Sequence, residues 1–171
     1  KVDRAISFKL DVMPIFMRAG CNAGSCHGAA RGKDGFRLSL FGYDFKADHE
    51  SLIGGKEPRV NLKDPATSLA LRKPTREVPH KGGKRIDPGS WQYHMMKRWI
   101  EAGAQSVQEK DAEFASLTVE PREIVFTKPG ETRQLKVVVH WADGSSEDVT
   151  PIARFRTNDE TVATIDEDGV V

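Results

Sequence analysis

The chain has little of most features that announce a function. It has two cysteines among 171 residues, too few for a disulfide framework. It has no excess of one charge: 26 Lys and Arg face 25 Asp and Glu, a net charge of +1. Global electrostatics therefore give no reason to expect nucleic acid as a partner. No apolar run approaches the length of a membrane span. Internal repeats and low-complexity tracts are absent, as are paired carboxylates, a nucleophile motif and a phosphate loop, so no independent catalytic chemistry is expected. Hydrophobic content of 38% with 30% charged residues fits one or two globular domains. The chain opens at Lys1, which reads as a mature or excised fragment, so the lack of a visible leader says nothing of location.

What the chain does have is Cys21-Asn-Ala-Gly-Ser-Cys26-His27. Its two cysteines stand five positions apart, and a histidine follows the second. The stretch resembles a c-type haem attachment site, C-x-x-C-H, widened to C-x4-C-H. Each sulfur would close a thioether onto a haem vinyl group, and His27 would be the proximal iron ligand. The porphyrin fixes the vinyl separation, so the two extra residues must bulge. Ala23, Gly24 and Ser25 are small enough for that, and Gly24 is free to take unusual backbone angles. Three duller readings stay open. A Cys21–Cys26 disulfide would close a very short loop and stabilise little. Zinc would need further ligands, and no second Cys/His cluster exists. Two buried free thiols beside an incidental histidine are the third.

The order of elements suits the haem reading. Asp11 is the expected N-cap of a first helix, with Pro14 in its first turn and Leu10 and Ile15 as a hydrophobic staple. That helix runs to Gly20 and delivers the chain into Cys21. A last helix is expected from the cap Ser90 to about Ala102, stopped by Gly103. Its Met95, Met96, Trp99 and Ile100 form a stripe that reads first as core. Between the helices, Gly35–Asp44 reads as a strand or extended loop whose Leu38, Leu40 and Phe41 cover a haem face. Arg37 and Arg59 are candidates for the haem propionates, since arginine grips carboxylates with two donors; solvated surface arginines are the plain alternative.

The distal ligand is to be chosen among His49, His80, His94, Met13, Met17, Met95 and Met96. His80 is favoured. It lies in Val78-Pro-His-Lys-Gly-Gly83, where Pro79 stiffens the backbone and two glycines permit close approach. Met95 is the methionine alternative. Histidine on both sides implies a lower potential than His/Met ligation. Lys81, Lys84 and Arg85 beside His80 would raise the potential, meet an acidic partner, or simply be solvated.

A polar stretch from about Gln105 to Ser116 separates this part from one that reads as β, giving domains at 1–108 and 116–171. Leu135, Val137, Val139 and Trp141 alternate along Arg133–Trp141. Asp143-Gly144 marks a turn, then a strand at 146–149. Further strands fit Ala153–Thr157 and Val162–Ile165, and the spacing suggests a β-sandwich.

Four motifs together resemble planctomycete cytochrome c-like domains over about residues 5–105: the Cys21–His27 stretch with its flanking glycines, Gly35-Phe-Arg-Leu-Ser-Leu-Phe-Gly-Tyr-Asp44, Val78–Gly83 and Trp99-Ile-Glu-Ala-Gly-Ala104. The resemblance implies a mainly α cytochrome c-like fold and one covalent haem c on Cys21, Cys26 and His27. It also implies a histidine at the place of His80. Residues 116–171 resemble a group 2 bacterial immunoglobulin-like domain through Pro129-Gly-Glu-Thr-Arg-Gln-Leu135, Asp143-Gly-Ser145, Asp148-Val-Thr150 and Val162-Ala-Thr-Ile-Asp166. The family pattern continues beyond this copy, so an incomplete domain and a longer native chain are expected. Together these imply an extracytoplasmic electron-transfer module, periplasmic or extracellular, serving a redox partner protein or further domains of its own chain. The alternatives are a relay or open, peroxidase-like centre of a larger oxidoreductase, and a haem-free interaction fragment.

Overall fold

A computed structural model describes residues 4–171. They divide into two compact units, residues 4–111 and 112–171.

The first unit is helical with long connections. A wide π-helical turn, Phe8–Val12, leads without a break into α1, Met13–Arg18. The N-cap is Ser7, not Asp11: the Ser7 hydroxyl accepts from the Leu10 amide at 3.1 Å. Asp11 lies inside the turn and reaches back to the Ser7 amide at 2.7 Å. This is the reciprocal logic of a capping box, spread over four residues because the turn is wide. Arg4 closes on the same carboxylate at 2.6 and 2.8 Å. Since the helix begins earlier, Leu10 lies within it and the expected staple with Ile15 does not apply.

Asp44 caps α2, Phe45–Ile53, by accepting from Ala47 at 3.0 Å. A short α3, Leu69–Arg72, follows. Ser90 caps α4, Trp91–Glu101, and Gly103 stops it with φ of 91°. The core is one cluster in which Phe8, Met13 and Ile15 of the first helical segment meet Leu52, Leu71, Met96 and Trp99. The Phe8 and Trp99 rings stack with centroids 5.3 Å apart.

Residues 35–44 form extended backbone and a short turn. Leu38 is buried in the core, while Leu40 and Phe41 are exposed in a 3-10 turn. Asp48 and Ser39 tie this segment to α2. The Asp48 carboxylate is buried and accepts from both the Ser39 amide and the Ser39 hydroxyl. His49, one of the candidate distal ligands, is buried. Its Nε2 meets the Ala104 carbonyl at 2.7 Å, and its ring stands edge-on to Phe8.

The second unit holds one antiparallel sheet of three strands in the order β1, Phe114–Glu120, β2, Lys136–Trp141, and β3, Ser146–Asp148. Val137, Val139 and Trp141 are buried, while their β1 partners Val119, Leu117 and Phe114 are exposed. Among the described residues a single sheet thus stands where two packed sheets are expected. Ala153–Thr157 and Val162–Ile165 form no ladder. Burial does alternate along 153–157, so the period is real. Alternation sets which way side chains face, and it does not supply a pairing partner. The chain end instead runs beside Arg133, exchanging two 2.9 Å bonds between Arg133 and Val171.

Candidate functional site

The cysteine segment leaves α1 as a chain of tight turns. Cys21 donates its amide to Phe16 at 2.9 Å, Cys26 to Ala23 at 2.9 Å, and His27 back to Cys21 at 2.9 Å. The loop is therefore folded back on itself, with Asn22 buried and Gly24 and Ser25 exposed at its tip, and the second cysteine returns beside the first. Gly24, expected to carry the bulge, lies outside the left-handed region. The glycine this loop requires is Gly28: a Cβ there would stand 2.1 Å from the Asn22 carbonyl oxygen. Both cysteines are half-buried free thiols. Burial pushes the Cys21 thiol up to about 12, with nearby Arg85 pulling down and Cys26 adding to the rise.

His27 is held from two directions. Its carbonyl accepts from the Leu38 amide at 2.9 Å. Its Nδ1 lies 3.1 Å from the Phe36 carbonyl. His80 repeats the pattern, with Nδ1 2.7 Å from the Gly83 carbonyl. A carbonyl only accepts, so Nδ1 carries a proton in both rings, and in the neutral form of each ring Nε2 keeps the lone pair. Metal-binding histidines are oriented in this way. Burial holds His27 below the usual imidazole range. The Phe36 carbonyl opposes this, and positive charge at His80, Arg59 and Lys73 adds to it.

The two rings have centroids 6.3 Å apart and planes 11° from parallel. A metal-bound imidazole nitrogen sits about 2 Å from the metal and the ring centre a little over 1 Å further back, so two rings sharing one metal have centroids about 6 Å apart. The observed spacing matches that span. Gly82 makes room for it, since a Cβ there would come within 2.9 Å of His80 Cε1.

Two clefts flank the pair, and both are bordered by Cys21, His27 and His80. Their cavity volumes are about 50 and 320 Å³, so the first is a narrow crevice and the second reaches the lower end of the range of about 300–1,000 Å³ usual for ligand pockets. Phe16, Leu52 and Leu69 give the first an apolar wall. Ser25, Cys26 and Arg85 make the second more polar. Together they form one slot, apolar on one side and wet on the other, with both thiols at its edge.

Arg59 lines the slot and is nearly buried. Its guanidinium lies over the Phe36 ring at 5.4 Å and donates to the Asp34 carbonyl at 3.3 Å. Arg37 is exposed and lines a neighbouring groove that shares Arg59 but neither histidine. Met95 packs on the core and Met96 is fully buried in it, and neither lines the slot. His94 is exposed. His140 pairs with Thr118 in the sheet unit. Sequence reading missed Lys33, Asp34 and Lys73 on the slot wall. The first two sit in a tight turn signalled by Asp34-Gly35, whereas nothing near Lys73 marks it.

Among the described residues, no group of three or more His, Cys, Asp or Glu converges to hold a metal ion. The zinc reading needs such a group. No protein-family model, curated protein or solved structure matches the chain.

Proposed function

We propose that residues 4–111 bind one haem c and act as an electron-transfer module, with His27 and His80 as axial ligands. The observation that carries the reading is the near-parallel pair of imidazoles, each with Nδ1 fixed by a carbonyl and the two 6.3 Å apart. Two histidines alone are a poor site for a bare ion. They suit a metal whose four equatorial positions are filled by a flat macrocycle. The apolar wall accepts one face of such a ring, and Cys21 and Cys26 at the slot edge are placed to anchor it through thioethers.

Bound there, the iron supplies a one-electron centre. The protein's contribution is to fill both axial positions, which keeps water and peroxide off the metal, and to bury one face of the ring. Two histidines favour a lower potential than His/Met ligation, while the surrounding cations raise it. Arg59 is the residue of this chain best placed to hold a carboxylate of the bound group. On this reading the protein matures outside the cytoplasm, and the sheet unit serves as an immunoglobulin-like spacer.

The test is the intact mass and visible spectrum of protein produced in a host with c-type maturation. Added haem mass with sharp low-spin bands and no far-red methionine band is expected. A high-spin resting spectrum would replace the reading with an open, reactive centre. A haem-free protein from a maturing host would overturn it and leave an interaction fragment.

A further inference from the structure

We propose that Arg59 is a positioning residue for His27, acting through the Lys33–Phe36 turn; this deepens the haem reading and rests on it for the ligand role of His27. The link begins at one atom. The Phe36 carbonyl oxygen accepts from His27 Nδ1 at 3.1 Å and from the Lys33 amide at 2.9 Å. The Phe36 amide returns a bond to the Lys33 carbonyl at 3.0 Å. With Asp34 at φ 49° and Gly35 at φ 71°, this is the tight hairpin turn that needs left-handed angles at both central positions. Gly32 closes the space behind it, because a Cβ there would stand 2.2 Å from the same Phe36 oxygen. Any tilt of the turn therefore moves the acceptor that aims His27.

The turn is poorly held by its own contacts. Lys33, Asp34 and Gly35 are exposed, and a short hairpin in water is marginal. Lys81 approaches Asp34 only to 4.0 Å, between side chains 91% and 63% exposed, and an ion pair of that kind contributes little. Arg59 supplies a firmer tie. Its backbone is fixed in the core: the amide donates to the Leu52 carbonyl of α2 at 2.7 Å, and the carbonyl accepts from the Ala70 amide of α3 at 2.8 Å. Its side chain reaches the turn at two points. Nη2 donates to the Asp34 carbonyl at 3.3 Å, and the guanidinium lies 5.4 Å from the centre of the Phe36 ring. That ring in turn stands 4.7 Å from the His27 ring. Arg59 thus joins α2 and α3 both to the acceptor of His27 and to the ring beside it.

The burial of Arg59 favours this role over a purely electrostatic one. The residue is 9% exposed, and its ion-pair partner Glu57 is 3.7 Å away with a side chain 80% exposed. Burying a cation beside so remote an acid is unfavourable, and a side chain needed only for its charge would act from water. What burial secures is a flat face against Phe36 and a directed donor to Asp34. Arginine provides both at once and lysine does not.

The experiment compares Arg59→Lys, Phe36→Leu and the double variant in the haem-loaded full chain, read by low-temperature EPR of the oxidised form. Arg59→Lys keeps the charge and can still meet a carboxylate of the bound group, so it isolates positioning. With the turn untied, the His27 plane leaves its 11° alignment with His80, and the lowest-field EPR feature shifts further to low field. Phe36→Leu is expected to shift it the same way, and the double variant no further than the larger single change, because both break one link. Additive shifts overturn the proposal. So does a wild-type spectrum in Arg59→Lys, with or without a lower urea midpoint, which would leave Arg59 a charge or a packing residue. The haem-free full chain separates this proposal from the haem reading. At about pH 8, above the ordinary imidazole range, long-range proton–nitrogen NMR reads the His27 tautomer. The Nδ1–H form is expected in the wild type, with a shift toward the Nε2–H form of free histidine in Arg59→Lys. A chain that takes up no haem yet shows this change loses the haem reading and keeps the positioning of His27. A chain that binds haem with tautomer and EPR spectrum unchanged by Arg59→Lys keeps the haem reading and loses the proposal.

Discussion

The His27 and His80 rings lie 11° from parallel, and this orientation has an electronic signature. An imidazole donates π density from the orbital normal to its plane. Two parallel rings load the same iron d orbital, so their effects add and split the d levels widely. Perpendicular rings load different orbitals, and the effects cancel. The oxidised haem-loaded protein should therefore give a rhombic low-spin EPR spectrum at low temperature. A single, strongly anisotropic signal at low field would mean that the planes are crossed and would contradict the geometry.

His80→Ala should open the sixth position and turn the resting spectrum high-spin at neutral pH. Met95→Leu should leave the spectrum unchanged, because Met95 packs on the core and does not reach the slot. A low-spin His80→Ala variant, or loss of low-spin bands in Met95→Leu, would transfer the distal role elsewhere.

Gly28→Ala should destabilise the first unit strongly, by about 2–4 kcal/mol. Its Cβ would be driven into the Asn22 carbonyl oxygen at 2.1 Å, and its neighbours here are backbone atoms that cannot swing aside. Gly24→Ala should cost little, since the nearest atom to its Cβ is Leu40 Cδ1 at 3.8 Å. Urea denaturation of the two variants checks both; equal midpoints would disprove the crowding at Gly28.

Burial raises the Asp48 carboxyl above the ordinary range, with the Ser39 hydrogen bonds pulling it partly back and Asp44 adding to the rise. The fold thus holds this proton more tightly than the unfolded chain. The associated stability is present below the ordinary aspartate range and is lost as pH rises through the elevated folded value. Asp48→Asn should remove that slope from a stability-versus-pH curve, because the amide can still accept from and donate to Ser39. Asp48→Ala should cost about 1–3 kcal/mol, since it strands two buried Ser39 groups. A wild-type curve that climbs over the same pH interval only because of Asp48 would reverse the sign argued here.

Legibility in the sequence followed locality. Cys21, Cys26 and His27 fall within seven residues, and His80 sits in a loop of Pro and Gly, so the groups that border the slot are named by the sequence alone. Ser90 and Gly103 bracket α4 because caps and stops are short-range signals. The slot walls were not readable: Phe16, Leu52 and the short α3 with Leu69 and its C-cap Lys73 are far apart in sequence, and α3 is a single turn that shows no extended period. α2 was hidden for a specific reason. Its buried residues are Asp48, His49 and Leu52, so two of three inward positions are polar and no apolar stripe marks the helix. The π-helical first turn moved the cap from Asp11 to Ser7, a shift that no residue spacing announces.

That polar inner face of α2 has a mechanical consequence. Apolar surfaces tolerate sliding by a fraction of a residue at little cost, whereas hydrogen bonds have narrow ranges of length and angle. α2 is pinned at Asp48 to Ser39 and at His49 to Ala104, two fastenings at adjacent residues that pull toward different parts of the unit. Both bonds oppose creep of the helix along its axis and roll about it. Leu52, one turn further on, forms part of the slot's apolar wall. The depth of that wall is therefore a gauge set in part by directional bonds outside the slot.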